Sequence, residues 1–377
     1  MKTKYILLLS TLMSICLASC NPSNLPSDSD SPSISETESS NSESSNDSET
    51  KLNIDDFNTT PKSEEYRKQG YYTLFKDINH KYGYIVTKPS YGAGESPYHS
   101  EYLKLYPEKT RTPSWTIAQW SSRFDIMGKD ANSGYTHETD ETGLIHTITS
   151  KGGERYYEQY PGKKVIINSM DGSLYFESNC GVEYLQDRTG SEGWVHLLMS
   201  QDFDDRLVFI KDLKSLMLET NYKVTKFEDM TYGKVNPNAH AAQFVFYITI
   251  QNRNKSSVDY GKYIWFGLGL WDNRSVNKFT SIYSAHDAGT DTLIYSPGST
   301  DFMKTNSGRI PKVGVDAQAK VDILPIVQKA YEDGIKKGYL GTTKWEELAI
   351  GGMNFGFEVP GTYNIGTEIK DIGIYYK

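Results

Sequence analysis

Between Ala239 and Arg274 apolar and polar residues alternate in two long runs. In the first, Phe244, Phe246, Ile248 and Ile250 share one face, and Gln243, Val245, Tyr247, Thr249, Gln251 and Arg253 share the other. In the second, Ile264, Phe266, Leu268 and Leu270 oppose Tyr263, Trp265, Gly267, Gly269 and Trp271. A period of two is the mark of a strand. Strands of this length exceed the usual five or six residues or so. One face of each suits a core, and the other carries amides, Arg, Tyr and Trp. Long two-faced strands predict a large sandwich with an outer face free to receive an extended ligand.

Further strands are predicted at Trp115–Phe124, Leu144–Ser150, Lys164–Ser169, Ser173–Tyr184, Val195–Phe203, Leu213–Phe227, Leu348–Val359 and Ile365–Tyr376. Asp171-Gly172 is a hairpin turn signal between two of them. Residues 55–110 predict loops and short strands wrapped on the main body, and 275–320 predict long connections. The strongest helical pattern runs from Asp322 to Gly338. Asp322 suits an N-cap, Pro325 the first turn and Gly338 the stop, with Ile323, Val327, Ala330 and Tyr331 as the apolar stripe. Many strands and one short helix near the C-terminus make the expected class all-β, an antiparallel jelly-roll sandwich.

The chain opens differently. Lys2 and Lys4 precede an apolar run from Tyr5 to about Ala18, too short for a spanning helix, which needs ~20 residues, and suited to a signal peptide. It ends in Leu17-Ala18-Ser19-Cys20, which looks like a bacterial lipobox with Cys20 as the lipidated residue. Residues 1–19 are therefore expected to be a lipoprotein signal peptide. From Asn21 to Thr50 there are seven acidic residues, no basic one, and only Leu25 and Ile34 as large apolar residues. Such a stretch buries too little to offset ordering, so 20–54 is expected to be a spacer. The β-sandwich domain is expected at 55–377. Cys16 leaves with the signal and Cys20 takes the lipid, so Cys180 alone remains and no internal disulfide forms. Cys180 is in phase with Leu174 and Phe176 and reads as a buried thiol rather than a nucleophile.

Of the net charge of −8, the signal contributes +2 and the spacer −7, leaving −3 for residues 51–377. That balance gives no electrostatic reason to bind nucleic acid. The Tyr-rich aromatic content, 28 Tyr against 14 Phe and 6 Trp, favours strands. At open-face positions it also favours stacking on sugar rings, with polar tips left for hydroxyls.

From Trp115 onwards, over roughly 260 residues, the chain resembles a group of secreted bacterial proteins of concanavalin-like, jelly-roll form. The likeness is carried by His240-Ala-Ala-Gln-Phe, Gln251-Asn-Arg-Asn, Trp265-Phe-Gly with Asp272-Asn-Arg, Leu324-Pro and, most specifically, Gly351-Gly-Met-Asn-Phe-Gly-Phe-Glu-Val-Pro-Gly-Thr362. It implies fold, export and a link to carbohydrate, and supplies no mechanism.

The candidate ligand-binding residues are Gln243, Tyr247, Gln251, Arg253, Trp265, Trp271, Asn354 and Glu358. Gln, Asn and Arg hydrogen-bond sugar hydroxyls, the indoles stack, and Gly267, Gly269, Gly352 and Gly356 clear space for a ligand chain. The leading expectation is a surface lipoprotein, anchored in the cell envelope through its lipid, that binds an extended polysaccharide on this face. The first alternative is a polysaccharide lyase or glycoside hydrolase on the same face. In the lyase, Arg253 with Gln251 or Gln243 would neutralise a substrate carboxylate, and Tyr247 or His240 would move a proton. The Glu-x-Asp-x-x-Glu of laminarinase-like enzymes is absent, and so are the alginate-lyase motifs. Glu177 and Glu183 share a strand phase but lie ~20 Å apart at ~3.3 Å per residue, too far for a glycosidase pair. The second alternative is a non-catalytic adhesion or structural lipoprotein, the face then being covered by the N-terminal segment and the helix. No cofactor is expected beyond a structural Ca²⁺, for which Asp287, Asp291 and Asp272 are the oxygen donors considered. No zinc spacing, Walker loop, dinucleotide fingerprint or Gly-x-Ser-x-Gly elbow is present, and His196, His240 and His286 read as structural.

Overall fold

The computed structural model describes residues 59–87, 100–106, 111–127, 134–237, 239–276, 278–287, 290–304 and 310–377. The expected signal peptide, Cys20 and the spacer lie outside them. Two large sheets face each other, as expected for an all-β jelly-roll sandwich. The nine-stranded sheet runs, edge to edge, Tyr283–Asp287, Thr292–Ser296, Tyr263–Asp272, Gln243–Asn252, Leu348–Val359, Val195–Asp202, Trp115–Ala118, Tyr84–Thr87, Ser100–Leu103. The eight-stranded sheet runs Ala317–Asp322, Leu216–Asp229, Tyr363–Tyr376, Leu174–Asn179, Lys163–Asn168, Ile145–Ser150, Tyr135–Thr139, with Tyr72–Thr73 paired to the end of Tyr363–Tyr376.

Alternation decides what lies between the sheets. Phe244, Phe246, Ile248 and Ile250 are fully buried, as are Phe355 and Phe357 of the neighbouring strand. They meet the inner face of the eight-stranded sheet, where the Tyr222 ring contacts Phe244 at 5.2 Å. The Lys163–Asn168 and Leu174–Asn179 strands pair antiparallel through the turn at Gly172, whose φ of +77° suits glycine.

Several elements differ from the sequence reading, each for a local reason. The strand from Trp115 stops at Ala118, and Ser121 turns the chain with a φ of +54°. The stretch 173–184 divides, because Cys180–Glu183 closes one helical turn after the strand. Cys180 is buried, and burial pushes its thiol up to about 12, an inert state. Three strands and the helical turn Ser299–Phe302 occupy the stretch expected to be long connections. The C-terminal helix spans Leu324–Lys336 and stops before Gly338, at φ +86°. Asp322 lies one residue ahead of its N-cap, and its carboxylate accepts from the Leu324 amide at 3.1 Å. A second helix, Pro61–Lys68, has a capping box between Thr60 and Ser63. It rests on the outer face of the eight-stranded sheet, with Tyr66 stacked on Tyr375 at 3.9 Å and its hydroxyl donating to Glu219 at 2.5 Å.

The turn at Cys180–Glu183 delivers Glu183 to Lys163, Oε1 to Nζ, at 2.5 Å. Neither side chain is exposed. Glu183 also accepts from the Ser122 hydroxyl at 2.6 Å and from the Arg123 and Phe124 amides at 2.5 and 3.1 Å. Lys163 donates to Ser122 and, at 3.2 Å, to the Phe124 carbonyl. Removing one member of a buried pair leaves the other charge uncompensated. Lys163→Met is therefore expected to lower unfolding free energy by about 3–5 kcal/mol in urea titrations at neutral pH, and Lys163→Met with Glu183→Gln to recover part of that loss.

Candidate functional site

The outer face of the nine-stranded sheet is built in rows, because paired residues in adjacent strands point the same way. Asp272, Gln243, Glu358 and His196 form one row. Val245, Gly356, Leu198 and Ala118 form the next, an apolar strip against which Trp120 and Tyr247 pack. Tyr247, Asn354, Ser200 and Thr116 form the third. Trp265, opposite Thr249, stands beyond it. Six of the eight expected ligand residues thus share this face in a contiguous band or at its end, and Arg253 follows just past the strand.

Trp271 does not. Phe244 pairs with Trp271 and Val245 with Gly269, so Leu270 is an extra residue in its strand. A bulge of this kind reverses the alternation beyond it. Trp271 turns into the core, its ring 5.0 Å from Phe227 of the opposite sheet. The Leu270 carbonyl accepts from the Tyr222 hydroxyl at 2.5 Å, and Asp272 is returned to the outer face beside Gln243.

The side chains on the face fall into two groups. Gln251 and Arg253 are already used. Arg253 pairs with Asp204 at 2.5 Å and donates to Gln251 at 3.1 Å, and Gln251 donates to the Gly261 carbonyl at 3.0 Å while its Oε1 lies over Gly351. Asp272 is likewise held, by Arg274 at 2.6 Å and by the Gln243 amide at 3.0 Å. The other group has open valences. Among the described residues Asn354 and Glu358 make no side-chain hydrogen bond, and the Gln243 Oε1 and Trp265 Nε1 are buried with no partner. Of the glycines expected to clear space, Gly267 makes room for the Tyr247 ring, while Gly269 has nothing within 4 Å of where a side chain would begin.

The outward-facing Gln243, Trp265, Asn354 and Glu358 are only 7–9% exposed, so the face is recessed. Burial first, and then the charge of Asp287, raise the Glu358 carboxyl to about 7. The strand of Asp287 is four steps from that of Glu358. Tyr247 lies between them, held protonated by burial, by Glu358 and by Asp287. On the other side of Glu358, burial holds His196 down to about 4. Its Nδ1 lies 2.7 Å from the Trp194 carbonyl and must donate to it, and its ring meets Trp120 edge-on at 5.4 Å. Sequence reading took His196 as structural, because its place beside Glu358 depends on inter-strand register. His240 sits just outside the strand, its Nε2 donating to the Arg188 carbonyl at 2.5 Å.

The aspartates considered for Ca²⁺ are engaged separately. Asp287 accepts from Thr290 at 2.6 Å, Asp272 pairs with Arg274, and Asp291 is 95% exposed. Among the described residues no three His, Cys, Asp or Glu side chains are grouped for a metal.

No protein-family model matches the chain, and no curated protein matches it. Among solved structures, a family 12 xyloglucanase from Bacillus licheniformis is similar at 12% identity and a TM-score of 0.37, over 64% of this chain and 97% of that one. An endoglucanase from Rhodothermus marinus is similar at 12% identity and a TM-score of 0.34, over 64% of this chain and 96% of that one. Likeness of this degree carries no argument about activity.

A carboxyl raised on folding is stabilising in its protonated form. The unfolded chain loses this proton near 4.5, the folded chain near 7, so stability falls as pH rises through that interval and is level above it. Relative to Glu358→Gln, the wild type is expected to lose about 3 kcal/mol between pH 4.5 and 7.5. Urea titrations of both proteins across that range measure it, and the histidine contributions cancel in the difference.

Proposed function

We propose that the protein is an exported lipoprotein, anchored through Cys20, that binds an extended, uncharged carbohydrate polymer in the concavity of its nine-stranded sheet. The observation that carries this reading is a cluster of uncommitted polar groups on one recessed face: Gln243 Oε1 and Trp265 Nε1, buried without a partner, beside the Asn354 amide and the Glu358 carboxyl, which make no side-chain hydrogen bond among the described residues. A buried polar group without a partner costs about 1–3 kcal/mol. Sugar hydroxyls both donate and accept, which suits this mixture of donors and acceptors. Trp120 and Tyr247, half-buried over the covered strip of Val245, Leu198 and Ala118, offer ring faces for the C–H faces of sugars, with Trp265 beside Tyr247.

The charges favour a neutral ligand. Glu358 and Asp287 are acidic, Arg274 is paired with Asp272, and Arg253 is paired with Asp204. No described cation is left on the face to neutralise a uronate, and Tyr247 is held as a phenol. The lyase arrangement drawn from Arg253 and Tyr247 therefore loses its charge partner and its base. Hydrolysis is the second reading. Burial and then the charge of Asp287 raise the Glu358 carboxyl to about 7, and a carboxyl that keeps its proton near neutral pH beside a second carboxyl is the general acid that glycoside cleavage uses.

A glycan array probed with the protein tests the binding reading. Retention of neutral polysaccharides is expected, weakened about tenfold by Asn354→Ala, a change that removes no side-chain hydrogen bond among the described residues. If no glycan is retained, the reading fails and adhesion through a protein partner replaces it. Incubation with the retained glycans separates the activities. New reducing ends, lost in Glu358→Gln, are expected from a hydrolase, and none from a binding protein. Metabolic labelling with a radioactive fatty acid tests the anchor, with label expected in the wild type and absent from Cys20→Ala.

A further inference from the structure

The strands Gly152–Arg155 and Glu158–Pro161 form a hairpin in which Arg155 pairs with Glu158. Its loop is two residues, Tyr156 and Tyr157, with φ of +54° and +67°. Two-residue loops of this kind take Asn-Gly by preference, because a side chain disfavours positive φ. Two tyrosines here set local sequence against local structure. Tyr156 is compensated. Its hydroxyl donates to the Thr231 carbonyl, and its ring meets Tyr232 edge-on at 4.9 Å. The Arg155 guanidinium lies 3.8 Å from the Tyr232 ring centre and 5.6 Å from that of Tyr156. Tyr157 has no such compensation. It is 97% exposed and makes no hydrogen bond or ring contact among the described residues. A strained residue whose side chain does nothing for the fold points to a role outside it.

We propose that Tyr157 is the platform of a second carbohydrate contact, one that takes the face of an uncharged sugar ring outside the concavity. A tyrosine ring offers an apolar face and a polar tip. Exposed Glu154, Glu158 and Gln159 flank it on the two strands and offer acceptors and an amide donor for hydroxyls. The cation at the tip is withdrawn. Arg155 is buried, pairs with Asp187 at 2.6 Å and donates to the Met230 carbonyl at 2.9 Å. With carboxylates on both sides and the guanidinium consumed, the tip disfavours phosphate, uronate and anionic lipid. The proposal shares its ligand class with the proposed function and none of its residues. Two contacts on one polymer chain raise retention through effective concentration, whereas a short oligosaccharide in the concavity does not feel the second.

The test uses the full-length protein, Tyr157→Gly and Asn354→Ala, with insoluble cellulose, mannan and amylose and with their soluble short oligosaccharides. Tyr157→Gly is expected to raise the melting temperature, since glycine accepts the backbone conformation. It is also expected to cut retention on a bound polymer by about tenfold or more, with oligosaccharide affinity unchanged. Unchanged retention overturns the proposal. A lowered melting temperature also overturns it, because the ring then serves the fold. Wild-type self-association in sedimentation that Tyr157→Gly abolishes overturns it in favour of a second copy as occupant. Retention lost in Tyr157→Gly and kept in Asn354→Ala supports the tip and sinks the concavity, and the reverse sinks the tip. If the wild type retains none of these polymers, both readings fall.

Discussion

Glu183 is a carboxylate with no exposure, and much of one end of the sandwich is arranged around it. Its partner Lys163 opens a strand of the eight-stranded sheet. Ser122, Arg123 and Phe124, which also bind it, lie on the chain leaving the nine-stranded sheet at Ala118. One buried ion pair with its hydrogen bonds thus fastens the two layers where no strand pairing joins them. Burying two charges is unfavourable unless the remaining bonding capacity is met, and here backbone amides, a hydroxyl and a carbonyl meet it. The pair also acts on the neighbouring site. After burial, the charge of Lys163 is a further influence holding His196 neutral beside Glu358.

The outer face of the nine-stranded sheet shows how recession converts a surface into a site. On an open sheet each row of side chains would meet only water. Recession of the face removes water from Glu358, and that desolvation, followed by the charge of Asp287, raises its carboxyl to about 7. The same desolvation makes the unpartnered Gln243 Oε1 and Trp265 Nε1 costly.

Periodicity carried the central strands. Phe244, Phe246, Ile248 and Ile250 could be placed inward, and Gln243, Tyr247 and Gln251 outward, because alternation follows from the backbone itself. It could not carry what breaks alternation. The bulge at Leu270 moves Trp271 inward with no sign in the local composition, and the helical turn at Cys180 hides within an apparently continuous strand pattern. The Pro61–Lys68 helix escaped notice because only Ser63 and Tyr66 are buried on it, so no apolar stripe marks it. Tyr156-Tyr157 is not a turn sequence, so its hairpin had no signal either. The site was half legible. Residue types and strand faces were readable, while the neighbour of Glu358 in register, His196, belongs to pairing between strands far apart in the chain.

The bulge at Leu270 has an evolutionary side. Beyond it, one inserted residue decides which side chains are inside the molecule. Were that residue lost, Asp272 and Arg274 would swing towards the core and Trp271 outward, exchanging an ion pair for an indole at the rim of the depression. A single codon deletion would do this without altering any residue on the face itself. In a protein of this build, ligand preference can therefore change by length variation in a strand, in addition to substitution in the loops.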